Sequence, residues 1–162
     1  FITVAKDVKV QVLFNKDVVE AYRLIGYENR ALANSDFEDD KKDAGEIGAG
    51  QTITAIYEVK PKSNPSYKSI PSFSISFRYK KPGSTAGIPL SLEIYDQGAD
   101  FSSASEDMRF AASLAALGMH LRGSAYKGTI TLPAIKSWAG QARSFDPNGY
   151  RMRHMKLLEK IK

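Results

Sequence analysis

The sequence predicts an α+β fold: an antiparallel β-sandwich over about residues 1–97, then a C-terminal layer of three helices over about residues 103–161. Three observations carry this. Apolar and polar residues alternate in five or six short stretches of the first part, the two-residue period of half-buried strands. Turn signals separate those stretches: Asn64-Pro65, Lys81-Pro82-Gly83 and Asp96-Gln97-Gly98. After Ser103 the apolar spacing becomes helical.

Taken in order, Val8, Val10, Val12 and Phe14 alternate with Lys9, Gln11 and Leu13. Ala21 to Tyr27 is a second apolar and aromatic run. Ile53, Ala55, Tyr57 and Val59 form a third strand. Phe73, Ile75, Phe77 and Tyr79 alternate cleanly with Ser74, Ser76, Arg78 and Lys80, and Leu90, Leu92 and Ile94 close the series. Alternation of this kind favours antiparallel sheets, because strands of a parallel sheet are apolar on both faces. Ser103 with Glu106 three residues later makes a capping box. The helix it opens runs to Arg122, is apolar on nearly every side and is therefore expected to be buried all round, with Gly123 as its stop. A second helix is expected from about Pro133 to Arg143, with Ile135, Trp138, Ala139 and Ala142 inward. Asp146 as N-cap and Pro147 at the first helical position open a third, with Tyr150, Leu157, Leu158 and Ile161 inward.

The 162 residues read as one domain, 1–162, with no cysteine for disulfides or thiolate metal sites. The chain opens on Phe1 rather than Met and is expected to be part of something longer. No apolar run approaches the roughly 20 residues that cross a bilayer, so direct membrane insertion is not expected. The formal net charge of +5 is unevenly spread. From His120 to Lys162 there are nine Lys and Arg against two Asp and Glu, whereas residues 1–119 hold fourteen against sixteen. The basic residues of the last helix fall on its polar side, as on any solvated helix, so nucleic acid is not expected as a partner.

The segment Asn29 to Gly50 reads as a loop of about twenty residues, a length that is usually functional or mobile. It holds Asp36, Glu38, Asp39, Asp40, Asp43 and Glu46. Asp36, Glu38 and Asp40 mimic the first ligands of a calcium loop, but Lys41 stands where the sixth-position glycine belongs and Ile47 where the bidentate Glu belongs. Asp100-Phe101-Ser102-Ser103 starts a D-x-S-x-S adhesion motif that fails at Ala104. The two histidines, His120 and His154, fall in different helices with no carboxylate or nucleophile adjacent in sequence. No phosphate loop, nucleophile elbow or zinc-protease motif is present. Neither a catalytic residue, a metal site nor a cofactor is therefore expected.

Three blocks of residues carry a family resemblance. They are Ala21 to Arg30; Asp36-Phe37, Asp39-Asp40 and Asp43 to Gly50; and Ala104 to Ala112 with Gly118-Met119. Together they closely resemble the C-terminal domain of bacterial von Willebrand factor type A (vWA) proteins of the YfbK type, over about Val8 to Tyr126. Gln51 stands where the family pattern has His, and Met108 where it has Phe. The resemblance implies a domain of uncharacterised function that follows a vWA domain in a cell-envelope protein: periplasmic, an outer-membrane lipoprotein, or surface-exposed. The expectation is a non-enzymatic accessory domain supporting protein–protein interaction or adhesion-type assembly, with the vWA domain and an unidentified envelope protein as partners. Its candidate binding residues are Asp36, Asp39, Asp40, Asp43 and Glu46, whose bland alternative is a structural crossover. Two other readings are a hydrolase using carboxylates of loop 36–46 as acid and base, and a calcium-ordered binding module.

Overall fold

The computed structural model describes residues 2–27, 34–63 and 68–161. The chain divides into two compact units, Phe1–Gly98 and Ala99–Lys162. Among the described residues the first holds the strands and one 3₁₀ turn and the second holds the α-helices, so the class is α+β as the alternation and its change of period predict. Lys and Arg balance Asp and Glu at thirteen each over residues 1–98, so the whole charge excess belongs to the helical unit.

The strands are β1 Thr3–Phe14, β2 Val19–Ile25, β3 Gly45–Gly48, β4 Ile56–Pro61, β5 Phe73–Lys80 and β6 Ile88–Ile94. A four-stranded sheet has the order β3-β1-β5-β6, and β2 pairs with β4 in a two-stranded sheet. Every pairing is antiparallel. The register puts Val10, Phe77 and Leu90 in one row, Val12, Ile75 and Leu92 in the next, and Phe14, Phe73 and Ile94 in a third. Residues two apart on a strand share a face, so these rows make one continuous apolar surface. The two sheets meet at its Phe14 end. The Phe14 ring stacks on Tyr22 at 3.9 Å and lies 5.4 Å from both Tyr57 and Phe73. Burial there pushes the Tyr57 hydroxyl pKa up.

Two features of this unit escape the alternation. Lys6 pairs with Lys80 and Lys9 with Arg78, so Asp7 and Val8 together oppose Tyr79 in a β-bulge. Asp7 takes a left-handed backbone, φ 49°, which aspartate tolerates better than most residues. The expected loop Asn29 to Gly50 is also partly ordered: it contains a 3₁₀ turn, Asn34–Asp36, and the strand β3, while residues 29–33 lie outside the described residues. Four residues with glycine at both ends carry no strand signal. They become a strand because β1 supplies their hydrogen-bonding partners, Val8 opposite Gly45 and Thr3 opposite Gly48.

The helices are α1 Glu106–Leu121, α2 Leu132–Gly140 and α3 Tyr150–Glu159. Ser105, not Ser103, caps α1: its hydroxyl accepts from the Met108 N–H at 3.1 Å. Ser103 instead closes the preceding turn by donating to the Asp100 carbonyl. Gly123 stops α1 as expected. With φ 60° it donates to the His120 carbonyl, and Ser124 reaches back to Met119, the paired bonds of a Schellman motif. Thr131 caps α2, which ends three residues short of the expected Arg143. The third helix starts at Tyr150 rather than at Pro147. Asp146 to Gly149 form a turn, and Gly149 is left-handed at φ 67°. The Asp146 carboxylate still accepts from N–H groups of the first helical turn, those of Arg151 and Met152.

Ala116, Leu117, Ile135, Ala139 and Leu158 form the helical core, with Trp138, Met155 and Ile161 packed against it. The expectation that α1 is buried all round is corrected. Met108, Leu114 and Leu121 are exposed, because α2 and α3 reach only one side of it. On α3, Tyr150 and Leu157 are exposed, and the inward positions are His154 and Leu158.

Candidate functional site

The expected site residues lie along a segment tied to the polar face of the larger sheet. Lys9, Arg78 and Lys80 occupy polar positions of β1 and β5, which an alternating pattern assigns to solvent. Lys9 is nonetheless 4% exposed. Its ammonium donates to the Asp36 carbonyl at 3.0 Å and to the Asp39 carbonyl, holding the 36–39 turn down on β1. Arg78 grips Asp40 through a two-pronged fork, Nε to Oδ1 at 2.8 Å and Nη2 to Oδ2 at 3.0 Å. The Gly87 N–H adds a third donor at 3.3 Å. Lys80 donates to the Asp40 carbonyl at 2.6 Å and to the Asp7 carboxylate at 2.7 Å.

These contacts set the electrostatics. The Arg78 hydrogen bonds pull the Asp40 carboxyl down to a pKa of about 2, and Asp40 in turn raises Arg78. The Lys80 ammonium holds Asp7 below the ordinary carboxylate range. A carboxylate kept ionised and bonded at both oxygens has no proton to donate, so Asp40 is unsuited to general-acid work near neutral pH.

The other expected residues are distributed along the same segment. Asp36 pairs with Lys42 at 3.2 Å. The Asp39 carboxylate accepts from the Lys41 N–H, a local turn bond. Glu46, on β3, accepts from the Thr3 hydroxyl and pairs with Lys6. Asp39, Asp43 and Glu46 are exposed. Gln51 accepts the Gly48 N–H and closes the turn after β3. Among the described residues no group of three or more His, Asp and Glu is placed to hold a metal ion.

Sequence spacing could not reveal Asp7, Lys9, Arg78, Lys80 or Gly87 as partners of this segment. The one available signal was three cations on the polar face of strands that also carry an acidic excursion. Gly87 leaves no trace at all, yet a Cβ there would sit 2.7 Å from Arg78 Nε and closer still to Asp40 Oδ1.

Ser113 and His154 meet in the helical core, with Oγ to Nε2 at 3.0 Å. Neither is a nucleophile or base in waiting. Ser113 is wholly buried and His154 is 5% exposed. The serine proton goes to the Phe110 carbonyl at 2.8 Å, so its oxygen accepts from the ring. Burial lowers the His154 pKa and keeps the ring neutral.

The fold and this segment define an α+β domain whose acidic stretch is tied to the sheet it crosses by Lys9, Arg78 and Lys80. The chain belongs to the family described as "Uncharacterized protein YfbK, C-terminal", whose profile matches residues 1–162. It is 40% identical over 174 residues to "Uncharacterized protein YfbK" of Escherichia coli (strain K12), an alignment covering 98% of this chain and 30% of that protein. The chain thus spans under a third of that relative's length. No solved structure matches it.

Proposed function

We propose that this chain is a non-enzymatic accessory domain that works by protein–protein contact, docking on the vWA domain of a YfbK-type parent in the cell envelope. One observation carries the reading. The sheet face built from β1, β5 and β6 is apolar row after row, and away from Phe14 it is uncovered: Val10, Leu90 and Leu92 are each more than half exposed. Contiguous exposed apolar surface of this kind marks interaction sites in folded proteins. The relative is more than three times as long as the stretch this chain matches, which leaves room for a neighbour that would cover the face. The vWA identity of that neighbour and the envelope setting come from the sequence resemblance. In the acidic segment, Asp39, Asp43 and Glu46 are the candidate positions still open to a partner.

Isothermal titration of this chain into the separately produced vWA domain tests the reading. Saturable binding with a negative heat-capacity change is expected, the signature of apolar burial. The double change Leu90→Ser and Leu92→Ser should remove it while leaving the circular dichroism intact. No heat at any temperature with both proteins folded defeats the proposal.

A further inference from the structure

The larger sheet ends on β3 at one side and on β6 at the other. An outer strand offers a row of unpaired N–H and C=O groups, which folded proteins blunt by making the strand short, bulged or rich in lysine. β3 is blunted: it has four residues and two register shifts against β1. β6 has seven residues, pairs with β5 at every one of them without a shift, and carries no Lys or Arg. Its middle residues, Pro89 to Glu93, are all exposed, and among the described residues no strand lies beyond it.

Hydrogen bonding shows which backbone groups of β6 point out. The Asn15 N–H donates to the Ser72 carbonyl at 2.9 Å, on the β1 side of β5. A trans peptide turns the next N–H, that of Phe73, the opposite way, toward β6. Phe73 pairs with Ile94, whose carbonyl faces β5 and accepts from the Ser72 N–H at 2.7 Å. Backbone groups alternate in direction along a strand. Ile88, Leu90, Leu92 and Ile94 therefore bond to β5, and Pro89, Ser91 and Glu93 turn their backbone groups outward. Pro89 thus sits where its missing N–H takes no bond from the sheet.

We infer that β6 pairs antiparallel with β6 of a second copy of this chain, about a two-fold axis at Ser91. Ser91 is the middle residue of β6, so this register pairs the strand over its whole length. It sets Ser91 opposite Ser91 of the second copy, Leu90 opposite Leu92, Ile88 opposite Ile94 and Pro89 opposite Glu93. The apolar rows of the sheet continue leucine to leucine into the second copy, and Glu93, the strand's one charge, meets a proline rather than its like. The two Ser91 residues exchange a pair of hydrogen bonds, and each Glu93 N–H donates to the Pro89 carbonyl opposite. The contact is isologous and closes at two copies. Pairing uses the edge and leaves the sheet face open, so it stands independently of the docking proposed above.

Sedimentation equilibrium of the intact chain, from micromolar to millimolar concentration, should show a monomer–dimer equilibrium. Over the same range amide exchange of the wild-type chain should slow at Ser91 and Glu93, while Leu90 and Leu92, bonded within the sheet, are protected throughout. Ser91→Pro removes an outward N–H and none that β5 uses. It should raise the dimer dissociation constant at least about tenfold, because it removes two hydrogen bonds at roughly a factor of five each. The chain has no cysteine, so Ser91→Cys supplies a single thiol per copy. Residues opposed in a hydrogen-bonded pair lie about 5.5 Å apart at Cα, within reach of a disulfide. Oxidation of Ser91→Cys should give a covalent dimer, and oxidation of Ser84→Cys, in the turn before β6, should not. The inference is overturned by a monomer at millimolar concentration, by assemblies larger than a dimer, or by a dimer whose Ser91 and Glu93 amides exchange as fast as the monomer's. Protection of those two amides in a monomeric full-length parent also overturns it, and assigns the edge to a strand of the neighbour instead.

Discussion

Replacing Ser113→Ala should cost more than the loss of one small buried atom. The Ser113 hydroxyl donates to the Phe110 carbonyl and accepts from His154 Nε2–H, while His154 Nδ1 is buried with no partner among the described residues. Without the hydroxyl, both ring nitrogens are buried and unbonded, and no tautomer repairs this. Leaving a buried donor unsatisfied costs about 1–3 kcal/mol. Urea unfolding of the intact chain at pH 8, where the ring is neutral in both states, measures that cost directly. The same ring predicts a pH dependence. Burial lowers its native pKa below the ordinary 6.5. Between those two values the unfolded chain binds a proton that the native chain does not, so stability rises with pH. The contribution is fully present above about 6.5 and is lost as pH falls toward the native pKa. His154→Phe keeps an aromatic ring beside Phe110, leaves the Ser113–Phe110 bond in place and should flatten that slope. A Ser113→Ala cost below about 0.5 kcal/mol, or an unchanged slope in His154→Phe, would refute the reasoning.

Three further predictions follow from burial and charge. Leu158→Ala, at a fully buried position of the helical core, should lower stability by about 2–5 kcal/mol in the same urea assay. Gly87→Ala should force the Asp40–Arg78 fork open, so that the Asp40 carboxyl, followed by NMR, titrates upward from about 2 toward its ordinary 3.8. An unmoved titration would count against the tight approach. The wild-type contribution of that depressed carboxyl is present above about pH 4 and is lost as pH falls toward 2. Lys9→Ala removes the ammonium that holds the Asp36 and Asp39 carbonyls, so backbone amides of residues 35–44 should exchange hydrogen faster while those of β5 do not.

The elements that could be read from the sequence are those with long, regular patterns. β1, β5 and β6 announce themselves by alternation, and α1 by its helical spacing and its terminal glycine, although its cap is Ser105 and not the expected Ser103. β3 could not be read, because Gly45–Gly48 is a strand only through its pairing with β1. Asp146-Pro147 has the chemistry of a cap and a first helical residue, but the left-handed Gly149 defers α3 to Tyr150. Alternation also shows which strand face is apolar without showing whether anything covers it. That is why Val10, Leu90 and Leu92 fall on the apolar side of their strands and yet stand exposed. The acidic segment misled in the opposite direction. Six carboxylates in thirteen residues suggest a ligand, and only the tertiary fold brings Arg78 onto the Asp40 carboxylate and Lys9 and Lys80 onto the backbone carbonyls of Asp36, Asp39 and Asp40.

The central claim, that the open sheet face is a docking surface, is tested most directly by hydroxyl-radical footprinting of the full-length parent beside this chain alone. The account predicts strong labelling of Val10, Leu90 and Leu92 in the isolated chain and protection of all three in the parent, with Leu13 on the opposite face labelled equally in both. Equal labelling of Leu90 and Leu92 in the two proteins would contradict it.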